Sequence, residues 1–519
     1  MLIPAVAVPF FGAVLVWAWR RKAFAHWIGV AAAALAFIVV AVLPIGRGSG
    51  TGNWVGIAEH LGGGWWHQIG FAWAPSIHLD FSLAVDGISW PLAMLTALLG
   101  LLCCLHNALG AERHTSAPLQ VPASTVETGG PFPDADRASA VPGKPSPTLT
   151  ALLLAVQFAS TLVFFADNLI LFFIAFEAVL LPMWAIIHRY GDPAARRHAA
   201  AKFALFTVAG SLLMATGLFV AVADAGTADL GAIILAGGVS QSVSLLVFTL
   251  LAIGFAVKAP LWPLHSWLPD AHTAAPTVGS VLLAGVLLKL GTYGLIRVAG
   301  GLAPDGAADA APVLAVLAAL GILVAGLVCL SLPEIKRLIA YSSVGHMGFV
   351  VLAFAAGTEA GIRAALFGNL AHGLITPLLF FLAGALKART RTGQLSSLGG
   401  LRLAAPALAG VLGFAALASL GLPGLAGFWG EAFTVYAAAD RGGAWLALAA
   451  AAAFGAFLAA AYLLRMLKRV SHGPIAPATA EIGDVSAAEI AVWSPLVAGT
   501  LLLGLIPGPL LELFAEGLL

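Results

Sequence analysis

The chain has 519 residues, of which 61% are hydrophobic and only 9% charged, and its mean hydropathy is +0.99. Soluble globular domains carry about 25% charged residues, so a water-soluble globule is excluded, as is disorder, which needs low hydrophobicity and high net charge. A formal net charge of +1 offers no electrostatic footprint for nucleic acid or an acidic substrate. The chain reads as an integral membrane protein, and its 59 glycines and 29 prolines fit, because membrane helices tolerate both.

The first apolar run, Leu2 to Trp19, is followed rather than preceded by its basic cluster, Arg20-Arg21-Lys22. A cleavable signal peptide has the opposite order, so a retained first span is expected. A helix needs about 20 apolar residues to cross about 30 Å of hydrocarbon, and on that measure we count fourteen candidate spans. Two long interruptions stand out: residues 46–80, with Gly, Trp and His throughout, and residues 111–147, rich in Pro, Ser, Thr and Ala. The expected fold is an all-α integral membrane protein. Its segments would be three helices within 1–110, a Pro-rich cytoplasmic loop at 111–147, five helices in 148–300, five more in 311–470, and a last helix in 488–515. Loops after odd-numbered spans hold 18 of the Lys and Arg residues and loops after even-numbered spans hold 4. The positive-inside rule then places odd loops in the cytoplasm and both termini outside.

Glu177, Lys202, Lys258, Lys289 and Glu431 remain inside apolar sequence. Each charge at mid-bilayer costs about 2.5–3.5 kcal/mol on insertion scales, so each needs a partner, water or a function. A single such residue often serves only to pair helices or snorkels to an interface. Five residues of both signs, with several histidines, point instead to removable protons. Burial favours the neutral form of a lysine and a nearby carboxylate favours the charged form, so small movements switch between them.

Spacing carries more. Glu177 to His346 is 169 positions, Lys202 to His372 is 170, and Lys258 to Glu431 is 173. Ionisable residues thus recur at a nearly constant offset across two blocks of five spans. An odd number of spans reverses the second block in the membrane, giving inverted repeats. Lys258-Ala259-Pro260 is followed by Pro263 and Pro269, and Glu431 follows Gly421-Leu422-Pro423-Gly424. Proline removes a helical donor and clashes with the preceding turn, so both spans should be broken beside an ionisable residue. Lys258 would end its first half-helix and Glu431 would lie early in its second. His346 and His372 fall within spans, where neutral imidazole can bridge lysines on a proton path. His265 and His272 sit in PLHSWLPDAH, where an interfacial position is expected, with a relay role for His265 the lesser alternative.

Cys103, Cys104 and Cys329 lie in apolar runs without a CxxC or Cys/His cluster, so no disulfide, zinc or iron–sulfur site is inferred. No GxGxxG or GxxxxGK[ST] string occurs, and no metal-ligand set emerges.

The stretch KAPLWPLHSWLPDAHTAAPTVGSVLLAGVLLKLGTYGLIR, residues 258–297, resembles the antiporter-like subunits of respiratory complex I. So do FSLAVDGISWPL near residue 81, FFIAFEAVLLPMW at 172, KRLIAYSSVGHMGF at 336 and GLPGLAGFWGEAF at 421. Within that superfamily HTAAPTVGSVLLAGVLLKLGTYG is similar to the subunit-M branch of bacterial NADH–quinone oxidoreductase rather than its L or N paralogues. The resemblance implies a fourteen-helix proton-pumping module with two inverted five-helix repeats. It implies Glu177 paired with Lys258 of a broken helix, Lys289 as a central relay, and Glu431 as the terminal carboxylate. Lys202, His346 and His372 match further family positions on a central hydrophilic axis. It also implies other membrane subunits as partners, including the two paralogous antiporter-like ones, in a bacterial inner membrane. NADH, FMN, iron–sulfur clusters and quinone would lie on other subunits, with none on this chain. The 111–147 insertion departs from the family pattern. Two other classes share the features: a subunit of a multisubunit cation/proton antiporter, and a purely structural membrane subunit of a hydrogenase-like or ferredoxin-linked complex.

Overall fold

The computed structural model describes residues 1–22, 24–45, 65–110 and 145–516. Most of the Pro-rich 111–147 loop, and part of the 46–80 interruption, lie outside the described residues.

The chain begins with α1 (Leu2–Ala18) and α2 (Ala25–Ala41), which pack on each other. Next comes a feature that an all-helical reading does not contain. Strands β1 (His67–Ala74) and β2 (Leu79–Val85) form an antiparallel hairpin, with Phe71 opposite and stacked on Phe81. The expectation of an all-α chain is corrected here. The composition hides the alternation of a strand, because both faces of GFAWAPSIHLDFSLAV are largely apolar.

The helices that follow are α3 (Ser89–Leu109), α4 (Pro147–Phe165), α5 (Leu169–Tyr190), α6 (Arg196–Ala225) and α7 (Gln241–Lys258). Then come α8 (Trp267–Ala274), α9 (Thr277–Leu302), α10 (Pro304–Ser331), α11 (Ile335–Ala355) and α12 (Glu359–Thr390). These are followed by α13 (Pro406–Ser419), α14 (Ala426–Asp440), α15 (Trp445–Ser471) and α16 (Ala487–Leu505), with a short helix, Gly508–Glu516, after them. Among the described residues, eleven of these helices are long and apolar enough to cross a membrane. Leu2–Ala18, Ala25–Ala41 and Pro406–Ser419 are apolar but shorter.

Helix ends are set by local chemistry. Ser146 and Asn168 accept from the free amides at the starts of α4 and α5, and Glu334 and Thr358 do the same for α11 and α12. Pro182 has no N–H for the carbonyl of Ala178, and α5 is interrupted at Val179, two residues after Glu177. The core lies around α9 and α12, whose most apolar stretches are 94% buried, against 39% for α6 and α15. The outer helices present Leu205, Leu212, Phe219, Phe457 and similar side chains outward, as a lipid-facing surface requires.

The hairpin is held to this bundle by polar contacts. Gln68 Nε2 donates to Asp167 Oδ2 at 2.8 Å, Gly231 N donates to Asp167 Oδ1 at 3.2 Å, and Asn168 Nδ2 donates to the carbonyl of His78 at 2.9 Å. Asp86 caps α3 through the amides of Ile88 and Ser89, and its second oxygen meets Arg297 of α9 at 3.2 Å. At the other end of the bundle Arg389 of α12 forks onto both oxygens of Glu489 of α16 at 2.7 Å each, with side-chain exposures of 4% and 1%.

Both anchors are testable. Burial, reinforced by the charge of Asp229, pushes the Asp167 carboxyl up from 3.8 to about 7, against the opposing pull of Gln68, Arg297 and the Gly231 amide. A carboxyl raised in the folded state holds a proton that the unfolded chain gives up. The stability it contributes is therefore fully present below pH about 4 and lost as the pH rises through about 7. Amide exchange of the hairpin, corrected for its intrinsic rate, should quicken between pH 5 and 8, and Asp167→Asn should flatten that dependence. A parent protein with no pH trend would contradict the assignment. Arg389→Ala strands a buried carboxylate and should cost about 3–5 kcal/mol in thermal unfolding of the detergent-solubilised protein.

Candidate functional site

The site begins where α7 stops. Pro260 and Pro263 deny the helix its next donors, so α7 ends at Lys258 and the chain resumes as α8 at Trp267. Trp267 Nε1 donates to the Val257 carbonyl at 2.9 Å and satisfies part of the exposed helix end. Lys258 is thus the last residue of its helix, where the partial negative charge of the terminus favours a cation. Its side chain is 1% exposed, and Nζ has no hydrogen-bond partner among the described residues. Nζ lies 4.8 Å from the centroid of the Phe176 ring. Glu177, next in sequence, accepts a hydrogen bond from Ser211 of α6 on Oε1. Glu177 and Lys258 share a neighbourhood without forming an ion pair.

Lys202 is held elsewhere. Its Nζ donates to Asp270 of α8 at 2.7 Å, and Arg337 of α11 approaches the other oxygen of Asp270 at 3.5 Å. Both Lys202 and Asp270 are one quarter exposed, which leaves this pair accessible from one edge of the bundle.

Lys289 sits at the centre, 1% exposed on α9. A π-helical turn over Leu283–Leu287 shifts the register of that helix. The shift turns the Ala284 carbonyl towards Lys289 Nζ, which donates to it at 2.7 Å. Nζ also meets His372 Nδ1 of α12 at 2.5 Å. One helical turn away, Thr292 Oγ1 donates to Asn369 Oδ1 at 2.8 Å, so the α9–α12 seam is polar over two turns.

From His372 the line continues to α11. The rings of His372 and His346 are 5.6 Å apart, edge to face. His346 Nδ1 is 3.0 Å from Glu431 Oε1, and its Nε2 is 3.2 Å from Ser419 Oγ at the end of α13. Glu431 is carried by α14, which is separated from α13 by a loop through Gly421 and Gly424, both at positive φ. A Cβ on Gly421 would lie 2.8 Å from Glu431 Oε2, so that glycine both turns the chain and makes room for the carboxylate. His346, His372, Thr376, Ser419 and Glu431 line one cavity of about 30 Å³. Such a space, with polar groups on its wall, is large enough to hold a water molecule.

The arrangement is a row of exchangeable groups: Lys289, His372, His346 and Glu431 in succession, with Glu177 and Lys258 at the head. Among the described residues no cluster of three or more His, Cys, Asp or Glu is placed to hold a metal ion.

A family of transmembrane domains described as NADH:quinone oxidoreductase/Mrp antiporter matches residues 166–458, a stretch that contains every residue of this row. The chain belongs to that family. Subunit M of NADH-quinone oxidoreductase from Rhodobacter capsulatus is 40% identical over 368 residues, 68% of this chain and 70% of that protein. Subunit M from Mycobacterium tuberculosis is 33% identical over 524 residues, covering 98% of this chain and 91% of the relative. Among solved structures, a chain of respiratory complex I from Thermus thermophilus with bound NADH superposes with a TM-score of 0.81 at 29% identity, over the whole of both chains. The resemblance to the subunit-M branch read from the sequence is borne out.

Besides the unformed Glu177–Lys258 ion pair, two positions, His272 and Lys202, differ from the sequence reading. His272, expected at an interface, is fully enclosed, with its ring stacked 4.3 Å from Phe380. His265 is partly exposed, as expected of an interfacial position, and is not joined to the row, so the lesser relay alternative has no contact behind it; its ring meets Tyr341 edge to face at 5.8 Å, and Nδ1 has no partner among the described residues. Lys202 pairs with Asp270 rather than with the central groups. Asp270, Ser211 and Ser419 contact these groups without being singled out by the sequence. Asp270 was legible in principle, as a carboxylate inside the broken segment opposite a lysine in need of a partner.

The Lys289–His372 contact gives a direct test. His372→Leu leaves the buried amine one carbonyl and should cost about 1–3 kcal/mol, while His372→Gln, which keeps an acceptor, should recover most of it. Thermal unfolding of the purified protein reads both; a leucine variant as stable as the parent would contradict the contact.

Proposed function

We propose that the chain is a proton-translocating membrane subunit of an NADH:quinone oxidoreductase, coupled to quinone reduction elsewhere in that complex. The observation that carries this reading is the continuous succession Lys289–His372–His346–Glu431, enclosed in protein and opening on a water-sized cavity. Groups that only hold helices together do not need two imidazoles between an amine and a carboxylate.

The residues act as follows. When Glu177 and Lys258 separate, Lys258 loses its stabilising anion and its proton becomes transferable. Lys289 receives charge from that side and shares a proton with His372. His346, between His372 and Glu431, passes it on by rotation or through a cavity water, and re-pairing of Glu177 with Lys258 resets the site. Moving one charge against 100 mV costs about 2.3 kcal/mol, which modest changes in pairing at a buried amine can supply.

We extend the reading to the architecture. The three shorter apolar helices count as spans, with α13 continued by α14, and this gives fourteen. The segments 148–300 and 311–470 form two inverted repeats, preceded by the helices of 1–110 and the 111–147 loop and followed by the helix of 488–515. Both termini lie on the outer side of a bacterial inner membrane. The partners are the other membrane subunits, including two paralogous antiporter-like ones. NADH, FMN, iron–sulfur clusters and quinone belong to other subunits, and this chain has no redox centre.

Glu177→Ala or Lys258→Ala should abolish proton pumping in inverted membrane vesicles, while assembly and quinone reduction partly survive. Lys289→Ala should do the same, and unaltered proton flux in that variant would favour a purely structural subunit. The family description also covers Mrp antiporters, so cation/proton exchange is the second reading. Proteoliposomes that move protons against sodium without NADH would establish it.

A further inference from the structure

The contacts around the head of the row assign roles to two residues that the reading above leaves out. We propose that Ser211 and Phe176 hold the Glu177–Lys258 pair open, each offering one member of the pair a substitute for the other. The inference rests on the proton-transfer reading of Glu177 and Lys258.

A carboxylate and an ammonium left apart in a water-poor interior would each be unsatisfied, and closing the pair would be the one relief available. Here both have an alternative. Ser211, 6% exposed on α6, donates its hydroxyl to Glu177 Oε1. The charge of Lys258 lies 4.8 Å from the face of the Phe176 ring, and an aromatic face attracts a cation. Phe172, Phe176 and Phe255 form a mutually packed aromatic group, with centroids 5.8 to 6.1 Å apart, which fixes the Phe176 ring in place. Beside Ser211, Gly210 meets Val257 so closely that a Cβ there would lie 2.9 Å from the valine; this sets the serine at the depth where α7 ends.

The two substitutes differ in kind from the groups of the row. Neither the serine hydroxyl nor the phenyl ring needs to exchange a proton. They are positioning residues, and their effect is to make the open and closed arrangements comparable in free energy, so that a small push from the rest of a complex can switch between them.

The test uses the assembled complex in inverted vesicles, energised with NADH and a soluble quinone. Ser211→Ala and Phe176→Leu should each slow proton pumping about tenfold, the size expected for one hydrogen bond or contact to a buried charge. Phe176→Tyr, which keeps the ring, should stay near the parental rate. The readout that a merely structural role would leave unmoved is the infrared carboxylate band of Glu177, identified by its loss in Glu177→Gln. It should shift in Ser211→Ala as the acceptor changes its donor. An unmoved band, or a parental pumping rate in Ser211→Ala and Phe176→Leu, would overturn the proposal and leave Glu177 as a proton carrier. Full pumping in Glu177→Ala would instead overturn the reading beneath it.

Discussion

Backbone amides and carbonyls have no water to turn to inside a bilayer, and this constraint governs the rest of the molecule. A helix can be interrupted there only if something else satisfies the freed groups. At the end of α7 the Trp267 indole serves one carbonyl. In the π-helical turn of α9 the freed Ala284 carbonyl becomes an acceptor for Lys289. Between α13 and α14 the loop turns on its own backbone bonds, Leu422 N to the Leu417 carbonyl and Leu425 N to the Leu422 carbonyl, and Gly421 passes close to the Glu431 carboxylate. Each interruption stands next to an ionisable side chain, so the places where backbone hydrogen bonding fails are the places where charge can be kept.

This pairing of broken backbone and charge also explains the burial pattern. The most enclosed helices, α9 and α12, carry Lys289 and His372. Helices that face outward, such as α6, contribute small polar groups like Ser211 on their inner side and leucines on the other. Asp270 receives cations from both halves of the chain, Lys202 from one and Arg337 from the other. It ties the halves together at a point away from the central row.

Much of this was legible in the sequence, and the reasons are physical. Spans are long and uniformly apolar, so any charge within them stands out, as Glu177, Lys202, Lys258, Lys289 and Glu431 do. Prolines and glycines fixed the breaks at Lys258 and before Glu431, because a missing donor and a positive φ leave a mark on residue identity. What escaped had no such mark. A hairpin whose two faces are both apolar shows no alternation, so its first strand is hidden in the 46–80 interruption and its second runs into the apolar sequence of α3. A hydroxyl such as Ser211 is inexpensive to bury and common in membrane helices, so nothing singled it out until its partner was seen. The neighbours Asp270 and Pro269 give His272 an interfacial look in the sequence, whereas its ring is enclosed against Phe380. The pairing of Lys202 depended on tertiary proximity across 68 positions, which spacing within one helix cannot reveal.

The π-helical turn has a bearing on how such a chain can vary in evolution. Each α-helical residue advances the chain by about 100° around the axis. Regular α-winding of the same stretch, Leu283 to Leu287, would swing everything beyond it by about that angle, and Lys289 and Thr292 would face away from His372 and Asn369 while Ser280 stayed where it is. The π turn takes up one extra residue, so losing a residue there restores regular winding without the swing and removes instead the freed Ala284 carbonyl that Lys289 uses. The extra residue, more than the lettering of the stretch, is the inherited quantity.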